Sequence, residues 1–281
     1  SISSPMDAYA HTADAVRAGD RDRYLADLFV PEAARHHFFA LHAFNLEVAR
    51  IRETGSEPNL GEIRLQWWRD ALAGEGSGHP VAEALQKTIA GFRLPVTALA
   101  NLIEARRFDL YDDAMPSLND LEGYAGETSS SLMQLGAIIL SDGADPGAAE
   151  VAGHAGVAWA LTGLLRALPI HSARGQCYLP ADLMAKHGVD RADLHAGKTS
   201  PGLERLLAEL RARVRGHLTA VSHGIARVPG PIQAAFLPVA LCEPYLRKME
   251  RRGFDPLKTV ADISPLRRHW ALWRAARQGF G

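Results

Sequence analysis

Apolar residues recur at three- and four-residue spacing along nearly the whole chain, and runs of strict apolar/polar alternation are missing. A period near 3.6 places apolar side chains on one face of a helix, whereas a half-buried strand needs a period of two. The chain therefore reads as all-α, a series of helices joined by short loops containing Pro and Gly. Pro31 opens a helix whose Phe38, Leu41, Phe44 and Val48 share one stripe. Asn59 and Glu62 have the spacing of an N-cap and its partner three residues on. They start a helix that carries Gln66, Trp67 and Trp68 and stops at Gly74. Further helices are expected over 80–90, 95–111, 117–140 and 147–168, in a short piece from Pro180 to Gly188, then over 202–227, 232–252 and 266–277. Pro169 is expected to stop one helix and leave a loop up to Pro180. No repeat, low-complexity tract or long linker interrupts the 281 residues, so a single domain over 1–281 is expected.

Composition narrows the function. Hydrophobic residues at 47%, charged residues at 22% and a net charge of −1 describe a globular chain without the basic surplus of a nucleic-acid binder. Cys177 and Cys242 form no C-x-x-C pair, which points away from a zinc ribbon or disulfide framework and towards a reducing, cytoplasmic setting. The opening Ser1-Ile2-Ser3-Ser4-Pro5 lacks the pattern of a signal peptide, and no window reaches the ~20 apolar residues of a membrane span. Membrane contact is therefore expected to be peripheral.

The segment LTGLLRALPIHSARGQCYLP, residues 161–180, concentrates polar groups between two helices. Arg166 and Arg174 are candidates for an anion site, because guanidinium groups bind phosphate through paired N–H donors. The competing reading has the same side chains capping helix ends. Asp109, Asp112 and Asp113 would share a helix face at i, i+3 and i+4, a weak candidate metal cluster set against a helix end running into solvent. Glu47 is placed to pair with Arg50 or Arg64. His36-His37 lacks ligand spacing, and no Ser/His/Asp grouping or G-x-G-x-x-G turn is present.

The run L-R-x7-R-G-x2-Y-L-P over 165–180 resembles the second signature of the squalene/phytoene synthase family. That resemblance implies an Asp after the first Arg and another four residues on, which together hold magnesium at a prenyl diphosphate. Here those positions are Ala167 and His171, and the family's preceding Asn is Gly163. FFALHAFNLEVARIRE, residues 38–53, resembles the helix leading into the family's Asp-Asp-x-x-Asp cluster, whose acids fall on Ala49, Arg50 and Glu53. Phe108-Asp109-Leu110 and Tyr124-x3-Thr128-x2-Ser131 match further family segments. The residues His42 to Glu47, Arg64 to Trp68 and Leu165 to His171 are most similar to the branch containing the mitochondrial complex I assembly factor with a squalene/phytoene-synthase-like domain, and its bacterial relatives.

The resemblance implies an isoprenoid-synthase-type helix bundle around a central apolar cavity. Arg50, Arg166, Arg174 and Tyr178 would face a diphosphate, with Phe44, Glu47, Glu53, Gln66, Ala167 and His171 lining the cavity. Magnesium needs near-octahedral oxygen ligands, which Ala cannot supply and Arg repels. No cofactor is then expected, and the chain is read as a non-catalytic prenyl-lipid-binding or respiratory-complex assembly-type factor. The alternative is an active head-to-head prenyltransferase with an altered magnesium site. Implied partners are a prenyl or quinone-like lipid and a respiratory-complex subunit; separately, the C-terminal Trp/Arg helix is a candidate to dock a partner or a membrane face, with peripheral contact at the inner membrane as one expected setting.

Overall fold

The computed structural model describes residues 5–55, 57–76 and 78–280, and Ser1–Ser4, on which most of the signal-peptide reading rests, lie outside them. Among the described residues there is no strand. The helices are α1 Pro5–Gly19, α2 Arg21–Asp27, α3 Glu32–Ala49, α4 Pro58–Leu72, α5 Pro80–Phe92, α6 Val96–Ala105, α7 Leu118–Ala125 and α8 Ser131–Leu140. They continue with α9 Ala149–Arg166, α10 Leu168–Ala173, α11 Ala181–His187, α12 Arg191–His195, α13 Pro201–Ile225, α14 Cys242–Met249 and α15 Pro265–Gln278. Tight 3-10 turns cover Ile51–Thr54, Arg106–Leu110 and Gly230–Leu241, and Gly126–Ser130 forms a π turn between α7 and α8.

Helix α9 is the axis of the bundle. It packs along α13 on one side and against the π turn and α8 on the other, while α1, α3 and α5 form a neighbouring layer. Close approach of α9 to the π turn depends on Gly156, where an added Cβ would sit 2.2 Å from the Ser130 Cα. Ser130 Oγ also donates to the Gly153 carbonyl at 2.8 Å, fastening the two segments. One apolar core runs from Val16 to Ala275 and includes Phe44, Leu161 and Tyr245.

Local chemistry explains where the helices differ from their expected limits. Helix α4 begins at Pro58, with Glu57 rather than Asn59 at the cap position, because Pro is preorganised for the first turn and its missing N–H is not needed there. Pro169 likewise sits in the first turn of α10 and starts a helix over 168–173 where a loop was expected. The expected helix over 95–111 ends at Ala105 and tightens into the 3-10 turn to Leu110. Pro238 holds 230–241 in 3-10 form, so the expected helix from Ile232 becomes regular only at Cys242. Helices α1, α2 and α12 were not anticipated from periodicity.

Candidate functional site: an arginine-lined cleft

The end of α3 and the 3-10 turn after it, the 106–110 turn, the π turn, α9 and the α10 segment converge on a cleft of about 230 Å³. Asp109 is its hub. Its Oδ1 accepts the Tyr178 hydroxyl at 2.5 Å and the Tyr124 hydroxyl at 2.6 Å, and its Oδ2 accepts Arg106 Nη1 at 3.2 Å. Arg106 Nη1 also donates to the Tyr124 oxygen at 2.9 Å. The Asp109 backbone carbonyl accepts Arg52 at 3.1 Å and Gln176 at 3.2 Å.

These contacts set the charge states. Burial raises the Tyr124 phenol, with Arg106 opposing and the Asp109 carboxylate adding to the rise. Tyr178 is raised well above its ordinary range by burial, then by Tyr124 and Asp109. Both phenols stay protonated and donate. Burial works against the Arg106 charge, but the Tyr124, Asp109 and Tyr178 oxygens outweigh it and keep the guanidinium cationic. His171 is pushed down to about 4 by burial, with Asp109 opposing and Arg174 adding to the effect, so it is neutral near pH 7.

Four arginines line the cleft: Arg23, Arg52, Arg106 and Arg174. Arg23 pairs with Asp20 at 3.1 Å and Arg52 with Asp112 at 2.9 Å, while Arg174 has only a long contact to Glu53, at 3.9 Å. The side chain of Arg174 is 41% exposed and is the least committed of the four. Ser129 Oγ, Gln176 Oε1 and Arg106 Nε are buried at the cleft without a hydrogen-bond partner. Unmet polar groups of this kind are what a ligand or ordered water satisfies. The inner end beyond His171 and Tyr178 is apolar and nearly filled, leaving about 20 Å³ among Leu121, Leu161, Leu164, Leu168 and Leu210.

Of the residues singled out in the sequence, Ala49, Glu53, Gly163, His171, Arg174 and Tyr178 meet in this cleft. Arg50 does not. The Arg50 side chain points away from the cleft, and its Nη2 donates to the Gly19 carbonyl at 3.0 Å. Arg50 lines a separate groove of about 530 Å³ with Glu47 and Arg64. Arg166 also turns away: its Nε donates to the Ala261 carbonyl at 2.7 Å, and its guanidinium lies 3.8 Å from the Tyr245 ring centre. Ala167 is the junction between α9 and α10 and is not among the residues facing the cleft.

Phe44 is fully buried core, edge-on to Trp68 with ring centres 5.4 Å apart. Gln66 is exposed and donates to Asp70 at 2.8 Å. The acidic trio separates because the helix does not continue: Asp109 is buried in the 106–110 turn, whereas Asp112 and Asp113 are exposed in the segment beyond it. Among the described residues no group of three or more His, Cys, Asp or Glu is gathered in metal-binding geometry. The Asp109 carboxylate already accepts three donors, and among the described residues Glu53 is the one other carboxylate lining the cleft. Arg23, Arg52, Arg106 and Gln176 were not singled out. Arg106 lies three residues before Asp109 and Arg52 three after Ala49, a spacing that signals a shared face only once both turns are known.

The squalene/phytoene synthase family model matches residues 16–274. The chain is 31% identical over 276 residues to the rat protein "NADH dehydrogenase (ubiquinone) complex I, assembly factor 6", covering 95% of this chain and 83% of that one. It is 27% identical over 258 residues to presqualene diphosphate synthase of Zymomonas mobilis, covering 89% and 87%. The fold superposes on a solved dehydrosqualene synthase with a TM-score of 0.84 at 17% identity, over 97% of this chain and 96% of that one. The family match takes in both segments that frame the cleft, and with it the helix bundle around them: this chain belongs to the squalene/phytoene synthase family.

Proposed function

We propose that this chain is a non-catalytic member of its family that works without magnesium, holds a phosphorylated head group in the arginine-lined cleft, and serves respiratory-complex assembly. The observation that carries the reading is the make-up of the cleft, with four arginines against two carboxylates, one of them already holding three donors. Arginine binds phosphate oxygens directly, whereas magnesium is held by one or two carboxylates that are free to coordinate it together with substrate phosphates. Of the five positions that the family resemblance assigns to metal-binding aspartates, Ala49, Glu53 and His171 line the cleft, whereas Arg50 and Ala167 do not. Without a metal at the leaving group, ionisation of a prenyl diphosphate lacks its main electrostatic stabilisation.

Size agrees with a head group rather than a chain. Pockets that enclose whole ligands run to about 300–1,000 Å³, against about 230 Å³ in the cleft and about 20 Å³ at its apolar end. The assembly part of the reading is supported by the extent of the match to the rat assembly factor.

Two measurements test the proposal. With farnesyl diphosphate and Mg²⁺, pyrophosphate release should not exceed the protein-free rate; metal-dependent turnover would overturn the non-catalytic reading. Farnesyl thiodiphosphate should still bind in the presence of EDTA and weaken about tenfold or more in Arg174→Ala, the loss of one charge-assisted contact. Cells lacking the chain should show less assembled NADH dehydrogenase on native gels, and an unchanged complex would remove the assembly role.

A further inference from the structure

Helix α15, PLRRHWALWRAARQ, contains no acidic residue. Its inner face is fixed to the body of the protein. Arg268 Nε donates to Asp22 at 2.6 Å, and Ala271, Leu272 and Ala275 are buried beside it. At 3.6 residues per turn, Leu266, Trp270, Trp273 and Arg277 fall on the opposite side. Exposure agrees, at 81% for Leu266, 48% for Trp270 and 46% for Trp273.

Arginines border this apolar strip. Arg267 and Arg274 lie 5.2 and 5.3 Å from the Trp270 ring centre, and Arg277 lies 5.5 Å from that of Trp273. None of the three pairs with a carboxylate among the described residues. The groove alongside adds Arg215 and Arg247, and its acid, Glu243, is paired with both. A second exposed strip, Leu60, Ile63 and Trp67 on α4, has a different border. There Glu62 pairs with Arg107 and Glu104 with Arg69, so both signs are present. A mixed border suits another protein; a border of one sign, set around indole rings, suits a surface of the opposite charge.

We infer that the outer face of α15 docks on an anionic lipid bilayer. Trp270, Trp273 and Leu266 enter the boundary between head groups and acyl chains, where indole rings are stable because one end is apolar and the N–H remains wet. Arg267, Arg274 and Arg277 reach lipid phosphates while their stems stay on the apolar strip. Among the described residues no helix is long and apolar enough to cross a membrane, so the contact is interfacial. The Arg268–Asp22 bond holds α15 to the bundle, so the whole body follows it to the surface.

Vesicle co-sedimentation of the full chain tests this, using phosphatidylcholine with and without cardiolipin. The chain should partition onto the cardiolipin vesicles, lose binding as salt rises, and bind pure phosphatidylcholine weakly. Each arginine near an anionic surface is worth about fivefold, so R267Q/R274Q/R277Q should lose about 100-fold. W270S/W273S should also lose binding, and bromine-labelled acyl chains should quench the tryptophan emission of the unaltered chain. Four of the five positions are exposed and Arg267 is half-buried without a carboxylate partner among the described residues, so unchanged melting temperatures are expected and separate docking from folding. No partition onto cardiolipin vesicles, or partition that neither variant alters, would overturn the inference. So would a dimer that W270S/W273S dissolves in the absence of vesicle binding, which would assign the face to a second copy of the chain.

Discussion

Asp109 and Asp22 are both buried carboxylates that accept a tyrosine hydroxyl and an arginine, yet they lie in different surroundings. Asp109 sits on the cleft wall, where its carboxylate gathers Arg106 from three, Tyr124 from fifteen and Tyr178 from 69 residues away, all of them lining the cavity. Asp22 joins distant parts of the chain. Its Oδ1 accepts Arg268 at 2.6 Å across 246 residues, its Oδ2 accepts Tyr245 at 2.6 Å, and Arg166 stands 3.7 Å away. The same donor types thus make a ligand-ready wall in one place and a clasp between α2, α14 and α15 in the other. Arg166, an anion-site candidate in the sequence, belongs to the clasp, whereas Arg174, eight residues on, remains at the cleft.

The contrast predicts a graded set of losses. Asp22→Ala takes from Arg268, 6% exposed, its buried carboxylate partner and leaves it only the exposed Asp262 at 2.8 Å. Removing one member of a buried pair costs about 3–5 kcal/mol, and at about 2–4 °C per kcal/mol for a chain of this size the melting temperature should fall by about 10 °C. A fall of under ~3 °C would mean that the clasp is not structural.

His171 should contribute the next largest effect, and it depends on pH. Its folded value near 4 lies below the ordinary 6.5, so between those values the unfolded chain binds a proton that the folded chain does not. Stability contributed by His171 is complete above 6.5, declines as the pH falls towards 4, and is gone below that. A shift of this kind corresponds to roughly 3 kcal/mol. His37, also pushed down to about 4, chiefly by burial and then by His36, titrates in the same window. His171→Asn should therefore flatten the acid limb of a urea-stability profile without abolishing it. An unchanged slope would show that His171 titrates alike in the folded and unfolded chain.

Tyr178→Phe removes one neutral donor from Asp109 and should cost about 1 kcal/mol, read as a shift in denaturation midpoint. The smallest effect is expected for Arg174→Ala. Its long contact to Glu53 is exposed, so stability should change by under ~0.5 kcal/mol while ligand affinity drops. If Arg174→Ala melts early, the division between clasp and cleft fails at that residue.

Much of the cleft was legible one segment at a time. Ala49 and Glu53, and Gly163 and His171, were flagged as matching positions in two separate motifs, and the fold brings them to one cavity. Where a side chain points at the end of a helix was not legible. Ala49 and Arg50 are adjacent in sequence, but Ala49 lines the cleft and Arg50 a separate groove. Asp109, Asp112 and Asp113 would have shared a face on a continuous α-helix, and the 3-10 turn ending at Leu110 separates them. Arg23, Arg52 and Gln176 gave no local signal, because each becomes a cleft residue only through elements far away in the chain.

What the sequence determined by itself is the helical class and the family, because periodicity and short motifs are local properties of a chain. Which arginines face the cleft was decided by packing. Arg166 lies over Tyr245 and beside Asp22 because α2, α14 and α15 close against the end of α9, and no spacing within residues 161–180 encodes that closure. The filled apolar end of the cleft has the same origin, since Leu121, Leu164 and Leu210 come from three helices. Their side chains fill the space because unfilled apolar volume forfeits dispersion contacts on every wall.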